Sequence, residues 1–288
     1  MNIRHAGIED LWSLHWLRGL AGWNQSLAFW NLVLRAPAAE VFVAAEEARV
    51  VGSAMLWSYG NEVDWIGMVI VHPAYRRHGI GRKLLEACLA TSAARGVRSI
   101  GLDATPSGRP LYRSLGFQEG QALDRWRRSR ASKVGQSRAT FSNRMNGLEK
   151  HIVEQIWKSG FDQQSFGVSR ESLCAGLAAD AIAVCSIMAD QYNPLGYGML
   201  RHGARSSYLG PLVAENEAAG ECLADELLSL SPPRSLLWDI PRSNQAALAY
   251  ARKHGFAVQR SFVRMWKGPI VEAPRFERVW GIADPALG

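Results

Sequence analysis

The sequence predicts an α/β protein with two tandem domains, each a mixed, mostly antiparallel sheet flanked by helices. Its 288 residues exceed what a single core usually holds. Helix-forming and strand-forming segments also follow one another in the same order in both halves. A glycine at the start of a long helix, Gly81, precedes the pair Gly116-Phe117 by 35 positions, and Gly220 precedes Gly255-Phe256 by the same 35 positions. Two related domains explain this repeated spacing.

Each element of the first half has a local signal. Apolar residues at helical spacing predict a helix over residues 8–20, and Ser26 is a typical cap for a second helix over 26–34. Runs rich in β-branched residues predict the strands. These predicted strands are residues 2–5, EVFVAAEE, ARVVGSAMLW, VDWIGMVIV, VRSIGLD and residues 124–130. Two further helices are predicted in RKLLEACLATSAARG and PLYRSLGF.

The segment SKVGQSRATFSNRMNG has little periodicity and several turn-forming residues, which favours a domain boundary. We therefore expect a first domain over residues 1–132, a linker over 133–146 and a second domain over 147–288. In the second domain the predicted order is again helices, three strands, a long helix, a strand, a helix and a last strand.

Composition and charge narrow the class of protein. No segment has the pattern of a secretory signal or a membrane-spanning helix, so a cytoplasmic location is expected. The four cysteines form no C-x-x-C pair and have no histidine at ligand spacing, so no metal site is expected and buried free thiols are favoured. The formal charge is +8 through Met145 and −1 afterwards. A basic first half suits a phosphate-bearing ligand, either nucleic acid or a nucleotide cofactor.

The segment VIVHPAYRRHGIGRKLL carries the most specific pattern, a strand that enters a glycine-containing turn and then a helix. Glycines let the backbone approach a ligand closely, and the amides at a helix N-terminus bind a pyrophosphate. Arg76, Arg77, Arg82 and Lys83 add positive charge nearby. The pattern is neither a Walker loop nor a Rossmann fingerprint, because the required glycines and lysine are missing.

HPAYRRHGIG resembles the signature R/Q-x-x-G-x-G/A of the GNAT (Gcn5-related N-acetyltransferase) family, with Arg76, Gly79 and Gly81 at its fixed positions. PLYRSLGF resembles the later L-Y-x-x-x-G-F motif of that family. The resemblance covers about residues 1–130 and implies acetyl-CoA as the co-substrate, without a metal. It implies transfer of an acetyl or short acyl group to a primary amine, but leaves the acceptor and the acyl length open.

The resemblance also implies roles for individual residues. Backbone groups of Val69, Ile70 and Val71 would pair with the pantetheine arm, and an amide near Val69 would contact the oxyanion. Tyr112 would act as the general acid toward the leaving thiolate; the alternative is a tyrosine that only closes the core. The pyrophosphate site would be formed by Arg76, Arg77, His78, Gly79, Ile80, Gly81 and Arg82.

Two further groups of residues are candidates from their position in the sequence. Glu62 and Asp64 are the nearest carboxylates that could accept a proton from the amine, although solvated edge carboxylates are the alternative. Trp23, Asn24 and Gln25 join the first two helices, where the family forms its acceptor-binding wall. The alternative is that Asn24 or Ser26 only caps the second helix.

The second domain lacks the cofactor pattern. Its corresponding segment, GPLVAENEAAGECL, has no arginine at the start of the signature, a single glycine and several glutamates that would repel a pyrophosphate. Ala251 stands where Tyr112 stands in the first domain. We expect a degenerate, non-catalytic copy that braces the first domain and supplies a wall of the acceptor pocket, with Asp239, Arg242 and Asn244 as possible contacts.

The predicted partners are a small-molecule or peptide amine, in a monomer or a homodimer, without a membrane. The run RWRRSR, residues 125–130, suits either a nucleic-acid surface or edge and interdomain ion pairs, and alternation along a strand favours ion pairs. The competing functions are a non-catalytic acyl-CoA-binding sensor and an RNA-associated protein.

Overall fold

A computed structural model describes residues 1–47, 49–129, 147–190, 192–271, 273 and 275–288. The predicted linker over 133–146 and Arg130 lie outside these residues. No helix in the described ranges is long and apolar enough to cross a membrane.

The strands are Asn2–His5 (β1), Ala39–Glu46 (β2), Arg49–Ser58 (β3), Val63–Val71 (β4), Ser99–Ala104 (β5), Gln118–Arg128 (β6), Ala181–Met188 (β7), Pro194–Arg201 (β8), Ser207–Ala214 (β9), Leu236–Pro241 (β10), Ala257–Lys267 (β11) and Val279–Gly281 (β12). The helices are Leu11–Leu20 (α1), Leu27–Arg35 (α2), Ile80–Ala94 (α3), Arg109–Ser114 (α4), Gly147–Lys158 (α5), Phe161–Phe166 (α6), Glu171–Ala179 (α7), Glu217–Ser229 (α8) and Gln245–Lys253 (α9).

These elements form two compact units that are not continuous in sequence. The first unit contains Met1–Gly120, Arg264–Val271 and Pro285–Gly288, and the second contains Gln121–Val263 and Glu272–Asp284. Most of β6 therefore belongs to the second unit, while the end of β11 belongs to the first. The predicted α/β class with mostly antiparallel sheets is confirmed.

In the first unit, β1 to β4 pair antiparallel in sequence order, and β4 pairs with β5 in parallel. The helices α1 and α3 both contact β3 and β4. Large side chains fill the core: Trp30, Trp57 and Trp65 are almost completely buried. β4 is therefore a central strand, which explains why VDWIGMVIV is an almost continuous apolar run.

The segment Arg264–Val271 is fixed to β5 by a buried ion pair. The Arg264 guanidinium donates two hydrogen bonds to the Asp103 carboxylate, at 3.0 Å and 3.1 Å, and packs over the Trp65 ring. Both side chains are nearly inaccessible to water. The Ser99 hydroxyl adds a hydrogen bond to the Pro269 carbonyl. Residues late in the sequence therefore complete the core of the first unit.

Replacing Asp103 by asparagine is expected to lower the free energy of unfolding of the first unit by about 2–3 kcal/mol. The amide keeps the shape of the side chain but leaves a buried guanidinium without its counter-charge. Glu62→Gln is a matched control, because Glu62 pairs with Arg98 at the surface, where such pairs contribute little. Equal effects of the two substitutions in urea denaturation would contradict the role assigned to the buried pair.

In the second unit, β7, β8 and β9 pair antiparallel, β9 pairs in parallel with β10, and β10 pairs antiparallel with β6. The sequence did not predict α6 or β12. The arginine-rich run lies mainly inside this unit: Arg125 forms a buried bidentate pair with Asp239, and Arg128 packs over the Phe256 ring. Ion pairing rather than a nucleic-acid surface therefore accounts for Arg125.

Candidate functional site

The glycine turn before α3 has a left-handed backbone and open space beside it. Gly79, which precedes the first helical residue, adopts φ +74°, a left-handed conformation that favours glycine. A Cβ atom at this position would meet no protein atom within 4 Å, so the space beside it is open. The amides of the first turn of α3 lie at the positive end of the helix dipole. Gly79 therefore gives a ligand direct access to these amides.

Two arginines fix this turn to the elements around it. The Arg76 side chain donates a hydrogen bond to the Val71 carbonyl at the end of β4, at 3.1 Å. Arg82 donates to the Ser114 hydroxyl at the end of α4, at 2.6 Å. Arg77 has φ +65° and lies exposed in the same turn. The structure thus brings together the strand, the turn and both helices that the motif involves.

β4 contains a bulge one residue beyond Gly67. Met55 pairs with Gly67 and Ser53 with Ile70, so β4 has one residue more than β3 in this interval. Met68 takes φ +51°, and the buried Ser53 hydroxyl donates a hydrogen bond to its carbonyl at 2.8 Å. Such a bulge re-aims the peptide groups next to it. The amide of Val69, predicted to contact an oxyanion, lies directly after it.

β4 and β5 separate just before this bulge. Their register contains three residue pairs and ends at Trp65 and Gly101, after which no further β4–β5 pair occurs in the described chain. A Cβ atom on Gly101 would overlap the Trp65 ring, so that glycine admits the indole. Val69, Ile70 and Val71 consequently lie on a strand edge that β5 does not cover. An extended chain with alternating donors and acceptors fits such an edge.

Tyr112 lies on α4. This helix is next to the start of α3, because a side-chain carbon of the neighbouring Leu111 lies 3.4 Å from where a Cβ atom on Gly81 would be. The Tyr112 ring makes an edge contact with Phe117, with 6.1 Å between centroids. The ring is partly accessible, but burial of the hydroxyl, aided by nearby Cys88, raises the pKa of Tyr112 well above 10.0. The phenol is therefore protonated at neutral pH, which is the state that a general acid requires.

The two candidate bases are not at the bulge. Glu62 is exposed before the start of β4 and pairs with Arg98 at 3.2 Å. Glu62 precedes Met68 by six positions, which is about 20 Å along a strand. Asp64 is completely buried beneath α3, where the Ser92 and Ser58 hydroxyls lie near its carboxylate. The structure does not bring either carboxylate to the uncovered strand edge.

Burial raises the pKa of Asp64 above 3.8, since loss of water outweighs the effect of the two hydroxyls. The folded state therefore holds this proton more tightly than the unfolded chain. The stabilisation it gives is complete below pH 3.8 and is lost as the pH rises through the folded pKa.

Asp64→Asn is accordingly expected to gain stability relative to the wild type as the pH rises from about 4 toward 7. Chemical denaturation at a series of pH values measures this difference. Parallel pH profiles for the two proteins would contradict the assignment of Asp64 as a buried structural carboxyl. Turnover of the same variant tests its predicted role as a base.

The loop between α1 and α2 is well ordered by local contacts. Ser26 caps α2, because its hydroxyl accepts a hydrogen bond from the Phe29 amide at 3.0 Å. Asn24 and Gln25 are buried, and Trp23 is half-buried, with its carbonyl bonded to Arg18. Capping therefore belongs to Ser26, and the roles of Trp23, Asn24 and Gln25 toward an acceptor stay predictions.

In the second unit, the connection between β9 and α8 corresponds to the glycine turn of the first unit, and it differs from that turn in length and in the space beside it. Only two residues separate β9 from α8, whereas eight separate β4 from α3, so the glycine turn of the first unit has no counterpart of equal length here. A Cβ atom on Gly220 would overlap the Trp280 ring, which fills the space beside α8. Glu215 is engaged by Arg275 and Arg278. The shortened turn and the Trp280 ring agree with the expectation of a degenerate copy, and its lack of a cofactor site stays a prediction.

Of the three polar candidates in the second unit, each has a structural role. Asp239 pairs with Arg125, Arg242 pairs with Asp124 at 2.8 Å, and Asn244 caps α9 through the Ala247 amide. Cys222 is exposed rather than buried, so the expectation of buried thiols was wrong for that residue. Cys88 and Cys174 are buried as expected, and Cys185 is only partly buried.

Comparison with known proteins agrees with this geometry. The family described as acetyltransferase (GNAT) domain matches residues 37–119, and a second family of the same description matches residues 159–281. The chain therefore belongs to the GNAT acetyltransferase superfamily, as a tandem protein with two such domains. This superfamily uses acetyl-CoA.

Two curated relatives are similar in sequence over part of the chain. The uncharacterized N-acetyltransferase YitH of Bacillus subtilis is 28% identical over 152 residues, which is 52% of this chain and 50% of that protein. Glucosamine 6-phosphate N-acetyltransferase of Trypanosoma brucei brucei is 33% identical over 85 residues, 27% of this chain and 58% of that protein. The chain thus spans about half the length of the curated relatives it matches.

Two solved structures share the fold over nearly the whole chain. A protein assigned as an acetyltransferase from Pyrococcus horikoshii has a TM-score of 0.78 at 22% identity, covering 100% of this chain and 95% of its own. A tandem GNAT protein from the clavulanic acid biosynthesis pathway has a TM-score of 0.63 at 16% identity, covering 93% and 99%. At these identities the likeness concerns the fold alone.

Proposed function

We propose that the first unit transfers an acetyl or short acyl group from acyl-CoA to a primary amine. The observation that carries this proposal is the uncovered edge of β4, which runs from the bulge at Met68 to Val71 and is followed by the open turn at Gly79. Acetyl-CoA, when bound, supplies an activated thioester. The edge suits its pantetheine arm, and the amides around Gly79 suit its pyrophosphate.

Each residue would have a defined task in this reaction. The Val69 amide would donate a hydrogen bond to the developing oxyanion, as main-chain amides do in acyl transfer. As the amine nitrogen bonds to the carbonyl carbon and the carbon–sulfur bond breaks, Tyr112 would give its proton to the thiolate. The neutral amine nitrogen loses one of its two protons to solvent, and solvent returns one proton to the Tyr112 phenolate, so the reaction balances. Glu62 and Asp64 stay predicted alternatives as acceptors of the nitrogen proton.

The proposal is tested by incubating the protein with acetyl-CoA and a panel of primary amines. The panel contains small amines, amino acids, peptides and glucosamine 6-phosphate, the last because of the name of the trypanosome relative. Thiol release and the mass of the acetylated product report transfer. Turnover that survives at high salt is expected. Acetyl-CoA binding without transfer would favour a sensor, and steeply salt-dependent RNA binding without turnover would favour an RNA-associated protein.

A further inference from the structure

Residues 285–288, far from β4 in sequence, are part of the first unit. Leu287 is completely buried and Ala286 is 5% exposed. Two side chains next to or within β4 hold this segment through its carbonyl groups. The Trp65 indole donates to the Pro285 carbonyl at 3.1 Å, and the Tyr59 hydroxyl donates to the Leu287 carbonyl at 2.5 Å. The segment is therefore a fixed element of this unit.

The same segment lies directly against the residue that precedes the bulge. A Cβ atom on Gly67 would overlap the Ala286 carbonyl oxygen and approach its Cα atom to 2.7 Å. Glycine is thus required at position 67 because the Ala286 backbone occupies the space of a side chain. Ala286 consequently lies beside Gly67, two residues before Val69, whose amide would contact the acyl carbonyl in the proposed function.

The two faces of β4 can be told apart by its side chains. Asp64 points toward α3, since the Ser92 hydroxyl of that helix lies near its carboxylate. Alternation along the strand then directs Trp65 and Gly67 to the opposite face, where residues 285–288 lie. The glycine turn leads into α3, so in the proposed function the cofactor would bind on the face of the sheet that α3 covers. The face that carries residues 285–288 is the one left for an incoming amine.

We propose that residues 285–288 form the acceptor-side wall of the acyl-transfer site. This inference rests on the proposed function. The wall excludes water from the acyl carbonyl and limits the space beside Gly67 in which an amine is received. Tyr59 and Trp65 are positioning residues, because they hold the carbonyl groups of the wall without contacting the reacting atoms.

The test needs no knowledge of the natural acceptor, because water is the competing nucleophile. In hydrolysis, the water oxygen bonds to the acetyl carbon as the carbon–sulfur bond breaks. The products are acetic acid and the CoA thiol, which receives the second water proton. Without an amine, thiol release from acetyl-CoA therefore measures how well the wall excludes water.

Three variants loosen the wall to different degrees: a chain that ends after Asp284, Leu287→Ala and Tyr59→Phe. Each is expected to raise acetyl-CoA hydrolysis, by about fivefold or more in the shortened chain, while the acetyl-CoA Kd stays within about twofold. Ile282→Ala is the matched control, because it also truncates a fully buried aliphatic side chain, but in the second unit. It is expected to leave hydrolysis unchanged.

The outcomes separate this inference from the proposed function. Absence of acetyl-CoA binding to the wild type would overturn both. Unchanged hydrolysis in all three variants, with binding intact, would overturn the wall alone. Equal increases for Leu287→Ala and Ile282→Ala would also overturn it, since a general loss of stability would then explain the result. If the shortened chain does not fold, Tyr59→Phe and Leu287→Ala decide.

Discussion

Gly79→Glu is expected to lower acetyl-CoA affinity at least 100-fold, about 3 kcal/mol of binding free energy. A Cβ atom at position 79 would meet no protein atom within 4 Å, so the substitution is not blocked by the neighbouring protein atoms at that point. The conflict is instead with the ligand, because the carboxylate would compete with the pyrophosphate for the amides of α3. Calorimetric titration of acetyl-CoA into the purified variant measures the loss.

Gly96→Glu is the control for this substitution. Gly96 follows the other end of the same helix and has φ +67°, and a Cβ atom there would likewise meet no protein atom within 4 Å. It therefore imposes the same backbone strain about 22 Å away along the helix axis. Retained binding in Gly96→Glu and lost binding in Gly79→Glu is the expected pair of results. Wild-type affinity in Gly79→Glu would remove the turn from the cofactor site.

Tyr112→Phe is expected to lower kcat roughly 100- to 1000-fold, in the range that a positioned general acid contributes. Acetyl-CoA affinity should change by less than about twofold, because the ring and its contact with Phe117 remain. Since the pKa of Tyr112 lies above 10.0, the phenol stays protonated through the alkaline range up to that pH. Loss of activity below about pH 10 therefore has another cause.

Tyr192→Phe removes a hydroxyl from an exposed tyrosine of the second unit and is expected to have no effect on kcat. The comparison is made with saturating acetyl-CoA and whichever amine the panel identifies. Full turnover by Tyr112→Phe would show that the thiolate takes its proton from elsewhere, and would leave Tyr112 as a residue that closes the core.

The strand, turn and helix of the proposed cofactor site were predictable because their signals are local. Gly79 and Gly81 stand at fixed positions in a short segment, and the conformation of the turn follows from them. The bulge at Met68 also had a signal, since a glycine within a strand, Gly67, often marks a bulge or a close backbone approach. A glycine alone does not tell a bulge from a close backbone approach. Here the structure has both, the bulge at Met68 and the Ala286 backbone beside Gly67.

No local sequence pattern indicated that residues 264–271 and 285–288 belong to the first unit. Trp65 and Pro285 are 220 positions apart, and Tyr59 and Leu287 are 228 apart. Residue types and spacing carry no information on contacts over such distances. The same holds for Trp280, whose ring fills the space beside Gly220 and closes the second copy. Acidic residues indicated that this copy is degenerate, but its shortened turn became evident only in the structure.

We expect the chain to have one working acyl-CoA site, in the first unit. The stoichiometry of acetyl-CoA binding to the wild-type protein, measured by calorimetric titration at moderate salt, tests this expectation. One molecule per chain is the expected result, because the second unit lacks the turn and its space is filled. Two molecules per chain would contradict the degenerate second copy, and no binding would contradict the proposed acyltransferase.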